Sequence, residues 1–100
     1  ATLQANVRPT DRLSRHGGEE FLLLMPDTDA VGAQQACERL RQRIAASPAT
    51  TTAGPLSITV SIGATSACRG DARIDDVLIR ADESLYASKR AGRNRVTLST

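Results

Sequence analysis

The apolar positions of the chain follow two periods. Leu56, Ile58, Val60, Ile62 and Ala64 alternate with Ser57, Thr59, Ser61, Gly63 and Thr65. Alternation of this kind predicts a strand with one buried face. Ala33, Cys37, Leu40 and Ile44 recur at helical spacing, with Arg39, Arg41 and Arg43 on other faces. They predict an amphipathic helix, and Asp27 to Asp29 supply N-cap chemistry just before it. Ile74, Val77, Leu78, Ala81 and Leu85 form the buried stripe of a second helix over 74–91, and Gly92 sits where a C′ glycine belongs. Phe21 to Met25 (FLLLM) is a continuous apolar run of strand length ended by Pro26, and reads as a buried central strand.

Polar and turn residues supply the remainder. Arg12 to His16 is a short polar strand candidate, followed by Gly17-Gly18, a pair suited to a type I′ or II′ hairpin because both positions tolerate positive φ. Residues 1–7 read as the end of a helix halted by Pro9, 47–55 as a loop, and 95–98 as a last short strand. The economical packing of this order is an α+β two-layer fold: a mostly antiparallel sheet with helices packed on it.

Composition narrows the class. One hundred residues allow one small domain or part of one. Phe21 and Tyr86 are the two aromatic residues, so the core must be built from Leu, Ile, Val and Ala. A net charge of +2 is too small to argue for nucleic-acid polymers or membrane surfaces by bulk electrostatics. Cys37 and Cys68 match no metal-ligand spacing and read as reduced thiols. No apolar run is long enough to span a membrane, and the first residues lack a signal-peptide core, so the chain is expected to be cytoplasmic.

Three constellations carry chemistry. In RHGGEEF, residues 15–21, a glycine hairpin places two carboxylates at the start of a strand. Glycines let a phosphate approach the backbone, and a rigid carboxylate beside that space suits Mg²⁺. Glu19 and Glu20 point to opposite faces, so they do not share one role. By itself this pattern reads first as a hairpin with solvated acids. Lys89 and Arg93 lie four residues apart at the end of the second helix. They either complement the helix dipole or clamp phosphates. Arg8-Pro-Thr-Asp11 is an R-x-x-D: either a local ion pair or a fork-and-carboxylate pair matched to phosphate and guanine. His16 and Tyr86 read as packing residues, Tyr86 partly buried, and Arg41, Arg43 and Arg90 as solvated helix charges.

GGEEF, residues 17–21, matches the signature of the GGDEF family, the bacterial diguanylate cyclases, in its common Glu variant. LLLMPDTD, ITVSIGAT and ADESLYASKRAGRNRV follow in the family's order, so the resemblance runs from about Arg8 to Val96. It implies a palm or ferredoxin-like nucleotidyl cyclase architecture that condenses two GTP into cyclic di-GMP and pyrophosphate, as a homodimer. Residue by residue, Gly17, Gly18, Lys89 and Arg93 would bind GTP. Glu19 would ligate the metal, Mg²⁺ or Mn²⁺, and serve as the catalytic acid-base group, and Glu20 is counted with it among the catalytic residues as a member of the same motif. Arg8, Asp11 and Arg39 would form a product-inhibition site for cyclic di-GMP.

A complete member of the family looks longer. It opens with a strand bearing a metal-binding aspartate and a Phe-Lys-x-x-Asn-Asp stretch that helps recognise guanine, and neither precedes Ala1. Residues 1–100 therefore read as the carboxy-terminal portion of such a domain, without its first strand and helix. They are expected to be inactive alone, to bind cyclic di-GMP, and to self-associate through an exposed edge. The parent protein is left free to be membrane-anchored. The rival reading is a non-catalytic cyclic di-GMP sensor. A palm-like RNA-binding domain fits poorly, because the strands lack stacking aromatics.

Overall fold

The computed structural model describes residues 7–17 and 20–99, so the helix end expected over 1–7 falls almost wholly outside the described residues. The elements are β1 (Arg12–Gly17), β2 (Glu20–Leu24), α1 (Ala30–Ala46), β3 (Ala49–Thr51), β4 (Gly54–Leu56), β5 (Ile62–Ala64), α2 (Ile74–Arg90) and β6 (Val96–Leu98). The α+β class stands, with two antiparallel pairings and one parallel. β1 and β2 form a hairpin in which Arg12 faces Leu24 and Gly17 faces Glu20, with a register slip between Arg15 and Gly17. β5 and β6 run parallel, Ile62 opposite Val96 and Ala64 opposite Leu98, with α2 as the crossover that a parallel pair requires.

Two readings of the strands need correction. The alternating run 56–65 is not one strand: β4 ends at Leu56, β5 begins at Ile62, and Leu56 and Ile58 are exposed. β4 instead folds back on β3, inside the segment read as a loop. Gly54 takes φ +107°, and the Thr51 hydroxyl accepts from the Ala53 N–H (3.2 Å) and donates to the Gly54 carbonyl (2.6 Å). Nor is the FLLLM run a buried central strand. β2 pairs with β1 and with no other strand among the described residues, which leaves Phe21 52% and Leu24 58% exposed.

The core lies where both helices lean on the β5/β6 pair. Ala33, Cys37, Leu40 and Ile44 of α1 are buried as their spacing predicts, together with Ala64. α1 starts at Asp29, whose carboxylate caps the Gly32 N–H at 2.7 Å. On α2, Val77, Leu78, Ala81 and Leu85 are half-buried, while Ile74, in the first turn, stays 65% exposed. The deepest positions of α2 are serines. Ser84 is buried, and Ser88 is wholly so, its hydroxyl donating to the Ile62 carbonyl (2.8 Å) and bonded to Thr97 Oγ1 (2.7 Å).

Small residues are needed there because helix and strand touch backbone to backbone. A Cβ on Gly63 would stand 2.1 Å from the Leu85 nitrogen and 2.3 Å from the Ala81 carbonyl oxygen. α2 then ends in a Schellman motif: the Arg93 N–H returns to the Ser88 carbonyl (2.9 Å) and the Gly92 N–H to that of Lys89 (3.4 Å), with Gly92 at φ +120°. No helix among the described residues is long and apolar enough to cross a membrane.

Candidate functional site

The hairpin and the last turns of α2 meet. Glu20, the first residue of β2, places its carboxylate 3.7 Å from the Lys89 ammonium. Glu20, Asp82, Leu85, Tyr86 and Lys89 line a cleft of about 190 Å³ between them. That is smaller than the roughly 300 Å³ at which small-molecule pockets begin, and suits a phosphate group rather than a whole nucleotide. Asp82, Tyr86 and Lys89 share one face of α2, at i, i+4 and i+7. Tyr86 is 62% exposed, with the Arg90 guanidinium 5.7 Å from its ring centroid, which corrects its reading as a partly buried core residue.

Arg93 follows as the second residue beyond the α2 cap, exposed and at φ +64°. Its backbone is held by the Schellman bond, so Lys89 and Arg93 leave the same rigid helix end. Gly17 closes β1 opposite Glu20. Gly18 and Glu19 lie outside the described residues. Among the described residues no three His, Cys, Asp or Glu side chains cluster as a metal cage. The described carboxylate nearest the turn, Glu20, faces a cation. The described residues therefore do not by themselves make up a divalent-metal site.

The R-x-x-D segment forms a compact turn. The Asp11 carboxylate accepts the Arg8 N–H (3.0 Å) and Arg8 Nη2 (3.2 Å), and the Asp11 N–H returns to the Arg8 carbonyl (3.0 Å). Arg8 Nη2 also donates to Thr28 Oγ1 at 2.5 Å, and that hydroxyl donates to the Pro26 carbonyl at 3.0 Å. The local ion pair is thus present, with the Arg8 side chain half exposed and that of Asp11 buried. Among the described residues Arg39 makes no hydrogen bond or ion pair with this turn. It lines an open groove of about 580 Å³ along α1, with Val31, Glu38 and Val96. It stands ten residues beyond Asp29, about 15 Å along the helix axis.

Sequence reasoning missed three participants. Thr28 was visible only as the residue before a helix cap. Asp82 carried no signal beyond its place on the Lys89 face. Arg41, read as a solvated charge, has a side chain only 18% exposed and is bonded to Glu38 and to Asn94.

Comparisons with known proteins bear on the family and the fold. Residues 1–95 match the family described as diguanylate cyclase, GGDEF domain. Diguanylate cyclase DgcP of Pseudomonas aeruginosa is 44% identical over 97 residues, which is 97% of this chain and 14% of that protein. The active GGEEF domain of a diguanylate cyclase from Vibrio cholerae superposes with a TM-score of 0.88 at 33% identity, covering 98% of this chain and 62% of that one. The GGDEF domain of DgcB from Caulobacter crescentus, solved in complex with c-di-GMP, gives a TM-score of 0.87 at 34% identity, covering 96% and 57%. The chain thus spans a small part of that curated relative and under two thirds of those solved chains. Cyclases of this kind generally use a divalent metal. On the motifs, the fold and these likenesses together, the chain belongs to the GGDEF family of diguanylate cyclase domains.

Proposed function

We propose that this chain is the carboxy-terminal part of a cyclase domain that condenses two GTP into cyclic di-GMP. The observation that carries the reading is the 3.7 Å contact between Glu20 and Lys89, which joins two motifs nearly seventy residues apart in sequence at one phosphate-sized cleft. In the reaction each 3′-hydroxyl oxygen attacks the α-phosphorus of the other GTP. The bond to pyrophosphate breaks, and two pyrophosphates leave. Lys89 and Arg93 hold the phosphates, Gly17 and Gly18 let them approach the backbone, and Glu19 takes the hydroxyl proton with Glu20 beside it. A divalent ion at Glu19, Mg²⁺ or Mn²⁺, would neutralise charge on the phosphates. Each subunit of a homodimer brings one GTP, so in-line positioning is the main catalytic device. The domain works in the cytoplasm.

Arg8, Asp11 and Arg39 form a product site for cyclic di-GMP. The Arg8 fork, already oriented by Asp11 and Thr28, supports that reading. It also favours the second reading, a non-catalytic cyclic di-GMP sensor. The 100-residue chain alone is read as inactive, and its spanning only 57–62% of two solved GGDEF-domain chains it resembles supports that reading. GTP turnover, with the product identified, tests all of this. The natural protein carrying this chain is expected to release cyclic di-GMP and two pyrophosphates, and the chain alone to release none. A natural protein that binds cyclic di-GMP without turnover would establish the sensor. Robust product from the chain alone would overturn its inactivity.

A further inference from the structure

We propose that Arg41 and Asn94 are positioning residues for Arg93: a guanidinium on α1 holds the turn from which the phosphate-binding arginine leaves. The inference rests on the reading of Arg93 as a phosphate ligand, and it adds a second helix to that site.

The turn after α2 is unusual. Arg93 and Asn94 are consecutive non-glycine residues at φ +64° and +49°, in the left-handed region that L side chains disfavour. Such a pair persists only where its surroundings over-determine it. Here every side of the turn is tied. The Arg93 N–H is bound to the Ser88 carbonyl at 2.9 Å, and the Arg93 carbonyl accepts Arg95 Nε at 3.2 Å. The Asn94 N–H donates to Ser61 Oγ at 3.2 Å. Asn94 Oδ1 accepts Arg41 Nη1 at 2.8 Å, and the Asn94 carbonyl lies 3.5 Å from the same nitrogen.

Arg41 is itself fixed. Its Nε donates to both Glu38 carboxylate oxygens, at 3.0 and 3.2 Å, and its Nη2 also binds Glu38. Gln42 Nε2 donates to the same carboxylate at 3.3 Å. One edge of the guanidinium thus grips a carboxylate on its own helix, and another nitrogen reaches across to the turn, 53 residues away in sequence. Only a planar fork does both at once, which a lysine ammonium on a flexible stem cannot reproduce. Glu38 also neutralises Arg41. The cation beside the turn therefore does not compete with Arg93 for phosphate, so its role there is to orient.

GTP saturation kinetics on the natural protein test this with Arg41→Gln, Arg41→Lys, Asn94→Ala, Arg93→Ala and Arg80→Gln. The last is a stability control, because it breaks a different network, to Asp71, Thr65 and Ser66. Arg41→Gln and Asn94→Ala are expected to raise KM for GTP roughly tenfold while kcat moves less than about threefold, the pattern of a misplaced binding group. Arg41→Lys falls between, and Arg80→Gln lowers Tm but leaves KM unchanged. An unchanged KM in Arg41→Gln and Asn94→Ala, beside a raised KM in Arg93→Ala, overturns the positioning role alone. An equal rise in Arg80→Gln does the same by reducing it to general stability. An unchanged KM in Arg93→Ala, or no turnover in the parent, removes the phosphate reading and the inference with it. Amide hydrogen exchange on the same proteins supplies a readout independent of activity. Arg41→Gln is expected to lose protection at Arg93 and Asn94 and Arg80→Gln to keep it, and unaltered protection in Arg41→Gln overturns the clamp whatever the kinetics.

Discussion

The β5–α2–β6 unit and the β1/β2 hairpin carry the two halves of the proposed phosphate site, and they are held very differently. In the first, strand and helix backbones touch at Gly63, Ser88 bonds to both strands, and a Schellman motif locks the helix end. In the second, two strands pair with each other, expose Phe21 and Leu24, and meet α2 through the Glu20–Lys89 ion pair. Lys89 and Arg93 therefore stand on the more tightly packed of the two elements. Local opening follows contact density, so the hairpin is the lower-stability element.

Gly63→Ala breaks the comparison at its strongest point. The new methyl meets backbone atoms that cannot swing aside, so a loss at the upper end of the overpacking range, about 3 kcal/mol, is expected in urea denaturation. Phe21→Ser on the exposed hairpin is expected to change stability by less than about 0.5 kcal/mol. Comparable losses in the two variants would erase the distinction. Ser88→Ala comes next. It leaves the Ile62 carbonyl and the Thr97 hydroxyl short of a buried partner, for an expected cost of about 1–2 kcal/mol.

Acid sharpens the comparison on the α2 side. The Arg80 guanidinium, bound at 2.5 and 2.9 Å, and then the Cys68 N–H hold the Asp71 carboxyl well below the usual carboxylate range. A folded pKa below the unfolded one means that this stabilisation is complete above the unfolded value of about 3.9 and is lost as pH falls through the folded value. Denaturation midpoints measured from pH 5 downward are expected to fall less steeply in Asp71→Asn than in the parent. Parallel curves would contradict the pairing.

Thiol labelling separates buried from exposed surface without a mutation. Burial pushes the Cys37 thiol up to about 11, so only about one in a thousand is ionised at pH 8. Cys68 is exposed and is expected to label first, with Cys37 protected until α1 opens. The smallest effect belongs to Glu20→Gln. Its ion pair is long and half exposed, worth less than about 1 kcal/mol, and salt is expected to erase the difference in stability from the parent.

The parts of this structure legible in the sequence are those governed by local periodicity and capping. The α1 stripe, the span of α2 and the Gly92 terminus follow from side chains that repeat every turn and from one residue that tolerates positive φ. The R-x-x-D turn was legible for the same reason, since its partners lie three residues apart. What escaped depends on partners distant in the chain. The alternation of 56–65 does not say which strand pairs with it, so the turn at Gly54 and the parallel partner β6 stayed hidden. An apolar run such as FLLLM does not announce whether anything covers it. Ser84 and Ser88 look like surface residues until the Gly63 approach demands small side chains. Arg41 looks like a solvated charge until the fold brings Asn94 against it. At the site, the motif residues could be named in advance, but the Glu20–Lys89 contact and the role of Thr28 required the fold.

The proposed cyclic di-GMP site is tested most directly by calorimetric titration of that nucleotide into this chain, beside Arg8→Ala. Saturable binding near two ligands per chain, lost in the variant, is the expected result. A folded sample that takes up no cyclic di-GMP, or an Arg8→Ala variant that binds as the parent does, would contradict it.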